Sequence, residues 1–476
     1  MNLERLTADL QGLLEPEDVL TAQEDLASYD APARYEAGRA AAVVRPRTVD
    51  GVSKVMGYCV SRGVRLVPQG ANTGLVAGST ADGSGTQVVL SLERLRTPLR
   101  VDPANRTARV GAGVRLSALN QALEPHGLFL PIDLGADPTL GGMAATNTGG
   151  ARFIRYGDMR RHVLGLQVVL PDRQGSVVEL KGGLRKDNTG LDLRQLFVGS
   201  CGALGVITEV EVEVHPRPRQ TAAALIALAN PDAALPLLQF MEREAGELLT
   251  AFEGMSRAAF AAALAHAPAL RNPFPGGPPP YAVLVELSTA RSPQGGDAPL
   301  GQVLEAILAA WLETAEADAI DVLVGAPEPL WAIRHAISEG LRAKGQVIGF
   351  DLAFRRSDLP AFRDAALDRL GRQFPAVEIC DFGHIGDGGV HFNLVAPRPG
   401  LPDAGLKALR TCVYELAVGQ FGGSFSGEHG LGRANLESYR AYTPDLVREL
   451  AGGVQNVFSE APIGAVDFVG LFREQA

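Results

Sequence analysis

The chain has 476 residues, 46% hydrophobic and 21% charged, with a formal net charge of −10. That length suits two or three domains with sizeable cores, and the acidic balance excludes a general nucleic-acid binder, which needs a basic surface. The four cysteines, Cys59, Cys201, Cys380 and Cys412, form no CxxC pair, which argues against a disulfide framework or zinc ribbon and for a reducing compartment.

Residues 1–38 read as a helical lead-in, with Leu3, Leu6, Leu10 and Leu13 at helical spacing. Acids stand where a signal peptide needs a basic start and an apolar centre, and no apolar run reaches the roughly 20 residues that span a bilayer. The expected location is the cytoplasm, with peripheral contact at the inner face of the membrane left open. From about 40 to 218 short β-branched runs alternate with glycine turns: 41–46, 64–70, 86–92, 107–113, 163–172 and 205–216. Helical stretches intervene at 49–63 and 115–127.

A boundary falls near HPRPRQ (215–220), where proline and arginine interrupt the strand pattern. Beyond it, 221–229 and 281–289 read as strands, and 231–247 and 300–316 as helices. The proline-rich stretch 267–282 reads as an exposed irregular loop. Two such strand–helix–strand units suit a ferredoxin-like domain with helices on one face of an antiparallel sheet. From about 400 onward helical patterns dominate. The expected fold class is therefore α+β, divided as 1–218, 219–400 and a helical segment 401–476.

Three glycine-rich segments stand out in the first part. PQGANTGLVAGST (68–80) follows an apolar strand and has the make-up of an anion-binding nest, yet it carries neither a P-loop ending nor GxGxxG. Residues 131–158 supply Gly141, Gly142, Gly149 and Gly150, and 186–212 supply Gly199, Gly202 and Gly205. Three such segments suggest one long ligand laid along the backbone, with a pyrophosphate at its centre. Together the PxGxNTGLxxG, PxDLG…GGxxATNxGG…RYGD and KDNTGxDLxxLFVGSxGxLGVIT patterns resemble the FAD domain of the vanillyl-alcohol oxidase/p-cresol methylhydroxylase superfamily, over residues 40 to 218.

That resemblance implies FAD held by Pro68, Gln69, Gly70, Ala71, Asn72, Thr73, Gly74 and Leu75 around the pyrophosphate. It further implies that Pro131, Asp133, Leu134, Gly135, Asp137, Thr139, Gly142, Thr146, Asn147, Gly149 and Gly150 line the dinucleotide, with Gly202, Gly205, Val206 and Ile207 beside it. The family motif GSEGTLG is altered here, with Cys201 and Ala203 at the glutamate and threonine positions. Cys201 reads as a small buried hydrophobe, with a reactive thiol beside the flavin as the lesser alternative. No histidine occurs in 68–80, so a covalent histidyl–flavin link from that loop is excluded and dissociable FAD is expected. His126, His162, His215 and His266 have no partner motif and read as surface or hydrogen-bonded structural residues.

GHIGDGGVHFN (383–393) places two of the chain's eight histidines around an Asp-Gly turn, a strong hairpin signal. With Asp387-Gly388 as a two-residue loop, His384 lies opposite His391, and Asn393 shares their face. The pair could bind one ion or simply stack. A metal wants a further ligand, for which SFSGEHGLG (424–432) offers Glu428 beside His429. Both patterns are similar to the C-terminal signatures of the FAD-linked D-2-hydroxyacid dehydrogenase branch. The resemblance implies a divalent metal, zinc, on His384, His391 and Glu428, with His429 as catalytic base. That branch has asparagine where this chain has Gly389.

LWAIRHAISEGL (330–341) reads as a helix with Arg334 and Ser338 on one face. Arginine suits a bidentate grip on a carboxylate, and the family carries an arginine followed by a hydroxyl residue here. The 2-hydroxyglutarate enzymes, by the same resemblance, place lysines where this chain has Gly349 and Asn435; Arg433 lies near the second, and Lys344, Arg355 and Arg356 are the nearest replacements. The resulting expectation is an FAD- and metal-dependent dehydrogenase of a D-2-hydroxy acid of D-lactate, glycolate or D-2-hydroxyglutarate type. Arg334, Ser338, Asn393 and His429 would bind the substrate. Electrons would leave to a quinone, an electron-transfer flavoprotein or a partner subunit, and assembly as a homodimer is open. A non-redox FAD transferase of the alkyl-glycerone-phosphate synthase type, or a weakly active flavin subunit of a larger oxidase, is the alternative.

Overall fold

The computed structural model describes residues 3–180, 182–314 and 317–473. Their contacts define two units. The first joins Met1–Gly149, Asp158–Pro216 and Glu428–Ala476; the second joins Gly150–Gly157 and Arg217–Gly427.

In the first unit, β1 (Val19–Leu20), β2 (Ala40–Val44), β3 (Leu66–Gln69) and β4 (Gln87–Ser91) form a sheet in the order β1-β2-β4-β3. β2 and β3 run parallel to β4. The connection from β2 to β3 is the helix Val49–Arg62, capped by the Thr48 side chain at one end and by left-handed Gly63 at the other. Every residue of β2 and β4 is buried, as expected for parallel strands covered on both faces. There follow β5 (Leu99–Asp102), β6 (Thr107–Gly111), β7 (Leu128–Phe129), β8 (Val163–Val169), β9 (Val177–Leu180), β10 (Val206–Glu213) and β11 (His215–Pro216). Five of these make an antiparallel sheet in the order β5-β6-β10-β8-β9, and β7 pairs with β11. β10 alternates in burial, sending Val210 and Val212 into the core. His162 and His215, expected to be structural, meet edge to face.

The second unit is built on β12 (Gln220–Leu228), β13 (Leu249–Ser256), β14 (Tyr281–Thr289), β15 (Ala319–Gly325), β16 (Gln346–Ala353), β17 (Glu378–Ile379), β18 (Phe382–Gly383) and β19 (Gly389–Ala396). They form one eight-stranded sheet ordered β15-β12-β14-β13-β18-β19-β16, with β17 paired to β19. Helices cover both faces, not one. Ala224, Ile226 and Leu228 of β12 pack with helices Ala234–Ala245 and Leu300–Leu312, whereas Ala223, Leu225 and Ala227 pack with Arg257–His266 and Pro327–Lys344. The reason is compositional: TAAALIAL has no polar alternation, and its last seven residues are all buried, so neither face tolerates water. Gly340 lets the second pair of helices touch, since a Cβ there would lie 2.3 Å from the Ala262 carbonyl oxygen.

The helix expected over 300–316 ends at Leu312, and positions 315 and 316 lie outside the described residues. The proline-rich stretch is irregular, but Phe274 turns from it into the core.

Candidate active site

Three glycine-rich segments of the first unit converge. Gln69 closes β3 and ties its loop down, its Nε2 donating to the carbonyls of Tyr29 (2.9 Å) and Ser79 (2.7 Å). Asn72 sits at φ 56, its Nδ2 donating to Ala31 and its Oδ1 accepting from the Ser79 hydroxyl. A Cβ on Gly70 would stand 2.3 Å from Thr139 Oγ1, and one on Gly142 3.2 Å from the same atom. Thr139 Oγ1 is buried and has no hydrogen-bond partner among the described residues. A buried hydroxyl without a partner is costly, and this one is closely approached by two glycines.

The remaining predicted flavin residues fall into three groups. Ala71, Thr73 and Leu75 are half-buried and Gly74 exposed, along the same loop as Gly70. Asp133 and Leu134 are half-buried and Gly135 is exposed, just after buried Pro131. The Asp137 carboxylate is already engaged, accepting from Ser117 N and Oγ at 3.0 and 2.7 Å. Thr146 Oγ1 donates to Gly142 O (3.0 Å), and left-handed Asn147 donates to Asp158 (2.7 Å). The third segment is sewn to the helix Leu140–Thr146 by Gly199 N to Ala144 O (3.0 Å) and Cys201 N to Ala145 O (2.8 Å). Gly202, at φ 76, lies against Pro68. Gly205 admits no Cβ, which would meet Val168 at 2.7 Å. The Val206 and Ile207 side chains belong to the hydrophobic core, so only their backbone is available to a ligand. Gly149 ends a segment of the first unit, whereas Gly150 groups with the second.

The segment that begins at Glu428 is fastened to the same glycine loops. Glu428 Oε1 lies 3.8 Å from His429 Nε2. Two residues on, Leu431 N donates to Cys201 Sγ at 3.2 Å, so the thiol expected to be mere filler holds a loop. Asn435 bridges its own loop, donating to Gly430 O (2.9 Å) and accepting from Gly432 N (3.0 Å). Ala434 N donates to Val76 O (3.1 Å), and Arg433 is committed to Thr80.

In the second unit the sheet assembles a cluster of polar side chains. Asp351 of β16 faces His391 of β19, and Gly349 faces Asn393 on the same side. The ligand atoms of Asp351 and His391 lie within 4.8 Å of each other. Asp351 was not singled out from sequence; its signal was a lone carboxylate in the apolar strand VIGFDLAF.

The hairpin register differs from expectation: Phe382, not His384, is the cross-strand partner of His391. A type I′ loop needs positive φ at both central residues, but of Asp387 and Gly388 only Gly388 has it, at 90°. The chain coils instead, with Asp387 N and Gly389 N both donating to His384 O at 3.1 Å. The coil still delivers His384 to His391, their rings 5.1 Å apart at 76°. The shared face holds; the register does not.

Glu253, in the middle of wholly buried β13 and itself 1% exposed, joins the cluster. One oxygen lies 2.6 Å from His384 Nδ1 and the other accepts from Arg334 Nε at 2.8 Å. Arg334 lies over the Phe382 ring at 4.5 Å, and Phe382 lies against His391 at 5.3 Å. Arg334, Phe382, His391, His384 and Glu253 thus close a ring of contacts. Burial alone would raise the Glu253 carboxyl, but His384 and Arg334 outweigh it and hold it down at about 2. Among the described residues, Nε is the only Arg334 atom in a hydrogen bond, so its two terminal amino groups remain for a planar partner. Ser338 is half-buried one turn further along that helix, and Asn393 Nδ2 donates to His391 O at 3.1 Å. Glu253 too went unremarked in the sequence, where an acid inside an all-buried strand was the clue. The replacement cations are engaged or outward: Lys344 pairs with Glu378, Arg356 with Glu242, and Arg355 is exposed.

Comparison with known proteins locates two family matches. Residues 40–181 match the FAD binding domain, and residues 217–452 match the C-terminal domain of FAD linked oxidases. The chain is 38% identical to the mitochondrial D-2-hydroxyglutarate dehydrogenase of Bos taurus, covering 83% of this chain and 70% of that one. It is 31% identical to a D-2-hydroxyglutarate–pyruvate transhydrogenase of Saccharomyces cerevisiae, covering 89% and 86%. Its fold resembles p-cresol methylhydroxylase (TM-score 0.73, 15% identity, covering 96% of this chain and 94% of that one). It also resembles an alkyldihydroxyacetonephosphate synthase (TM-score 0.69, 16% identity, covering 96% and 83%). No helix among the described residues is long and apolar enough to cross a membrane.

Proposed function

The chain belongs to the FAD-dependent D-2-hydroxyacid dehydrogenases of the FAD-linked oxidase family, and from that premise we propose how its residues divide the work. The substrate is a D-2-hydroxy acid, oxidised at C2 to the 2-oxo acid. The observation that carries this reading is the Arg334 guanidinium, anchored through Nε and, among the described residues, open at both terminal nitrogens, within a ring that holds His384 and His391.

FAD is held by the three glycine segments, from Pro68 to Leu75, around Thr139 and Gly142, and from Gly202 to Ile207. The buried Thr139 Oγ1 between two glycines, without a partner among the described residues, fits a polar group of that cofactor. One divalent metal is held by His384, His391 and Glu428, with Asp351 as a further donor. His384 would bind through Nε2, because its Nδ1 faces Glu253 at 2.6 Å. Glu428 enters the set through the SGEHGLG pattern, residues 426–432, that the chain shares with the family signature. The donor chemistry, imidazole with carboxylate, suits zinc.

When bound, the flavin supplies the two-electron acceptor and the metal a Lewis acid that acidifies the C2 hydroxyl. Arg334 grips the substrate carboxylate through its terminal nitrogens, and Ser338 and Asn393 complete the polar lining. His429 Nε2 takes the hydroxyl proton. With Lys344 and Arg356 paired elsewhere, the substrate carries one carboxylate, as D-lactate does, rather than two. The chain lacks a nicotinamide fingerprint, so a quinone, an electron-transfer flavoprotein or a partner subunit takes the electrons.

The deciding experiment is anaerobic addition of D-lactate, glycolate and D-2-hydroxyglutarate to the FAD-loaded protein. Flavin absorbance bleaches with a D-2-hydroxy acid and not with the L-enantiomer of lactate. A flavin left oxidised by every one of them sinks this reading in favour of non-redox transfer.

A further inference from the structure

We propose that Glu253 is the positioning residue of this site, setting at once the nitrogen that His384 offers a metal and the fork that Arg334 offers a carboxylate. The proposal rests on the reading above. Glu253 occupies a strand position where an apolar residue would pack well, and burying a charge there stabilises little in itself. Its two oxygens serve different neighbours: Oε1 meets His384 Nδ1 at 2.6 Å, and Oε2 meets Arg334 Nε at 2.8 Å.

A carboxylate only accepts, so the His384 proton is fixed on Nδ1 and the lone pair of the neutral ring on Nε2. For Arg334, an acceptor on Nε fixes the guanidinium plane and leaves the two terminal nitrogens side by side. A second buried carboxylate offers an internal contrast. Glu286 accepts from Trp331 Nε1 (2.8 Å) and Arg152 Nε (3.3 Å). It docks the same helix three residues before Arg334, and among the described residues it bonds neither histidine of the ring nor Arg334.

Glu253→Gln tests the role, because the amide satisfies both neighbours only if it donates to Nδ1. That moves the His384 proton to Nε2, where the ligand lone pair is needed. In the full-length FAD-loaded protein, competition with a chromophoric chelator should show Zn2+ binding weakened about 10–100-fold. KM for D-lactate should rise more than kcat falls, and Glu253→Asp should recover part of both. Glu286→Gln should lower the melting temperature while leaving Zn2+ affinity and KM as they are. If Glu253→Gln behaves like Glu286→Gln, losing stability alone, Glu253 is only a core ion pair and the proposal is overturned. Wild-type protein that binds no Zn2+ overturns the metal reading itself. The 15N signals of the His384 ring, measured without metal above pH 8, then decide: Nδ1–H in wild type with Nε2–H in Glu253→Gln supports the role, and identical rings refute it.

Discussion

The Cys201 thiol accepts the backbone N–H of Leu431 at 3.2 Å, two residues beyond His429. One of the flavin segments is thereby joined to the loop that bears the proposed base. Cys201 holds this post at φ 54, a backbone conformation that strains alanine and serine equally. Cys201→Ala should therefore lower kcat by about three- to tenfold, the worth of one modest hydrogen bond, with FAD content unchanged by absorbance. Cys201→Ser, which can still accept, should restore most of it. Equal losses in both variants would mean that the loop does not depend on this bond.

Arg334→Lys keeps the charge and removes the fork. KM for the 2-hydroxy acid should rise about 10–100-fold, as expected for charge-assisted hydrogen bonds, while kcat changes less. Arg334→Ala goes further, because it strips Glu253 of one of its two partners. Thermal unfolding should then start several degrees lower. An unchanged KM in Arg334→Lys removes Arg334 from the substrate grip.

Dialysis against a chelator should remove about one divalent ion per chain, as a single site requires, and abolish turnover without releasing FAD. Added Zn2+ should restore it. His391→Ala should be purified without the ion, and Asp351→Asn should hold it more weakly. Elemental analysis is the check, and full metal content in His391→Ala rules out the ligand assignment.

Gly70→Ala places a Cβ 2.3 Å from Thr139 Oγ1. The collision should weaken FAD binding about tenfold, in the range that overpacking costs, read from the recovery of free-flavin fluorescence on dilution. Thr139→Val, which keeps the shape and removes the hydroxyl, should weaken binding about three- to tenfold. FAD affinity unaffected by either change would place the cofactor elsewhere.

Burial pushes the Cys59 thiol up to about 12, from an ordinary value of 9.0. The unfolded chain loses that proton first. The stabilisation is complete below pH 9 and declines as the pH climbs toward 12. Urea midpoints should fall in this window, and less steeply in Cys59→Ala than in wild type. Parallel slopes would show that the helix Val49–Arg62 does not shield the thiol.

The glycine segments, the histidine turn and the glycine-framed Glu428-His429 dipeptide were legible in the sequence because their information is local. A glycine that must approach a backbone, or an Asp-Gly turn between apolar runs, declares itself within a dozen residues. The strands and helices of the second unit were legible too, yet their layering was not. TAAALIAL marks a buried strand without saying that helices cover both its sides.

The site divides in the same way. Sequence by itself determined which residue types were available: the imidazoles of His384, His391 and His429, the carboxylate of Glu428 and the guanidinium of Arg334. Only the tertiary structure decided that Phe382 is the strand partner of His391, that Asp351 faces that histidine, and that Glu253 joins His384 to Arg334. The physical reason is separation along the chain. Glu253 lies 131 residues from His384 and 81 from Arg334. Such partners are chosen by sheet register and burial, which belong to the whole fold and to no single stretch of it.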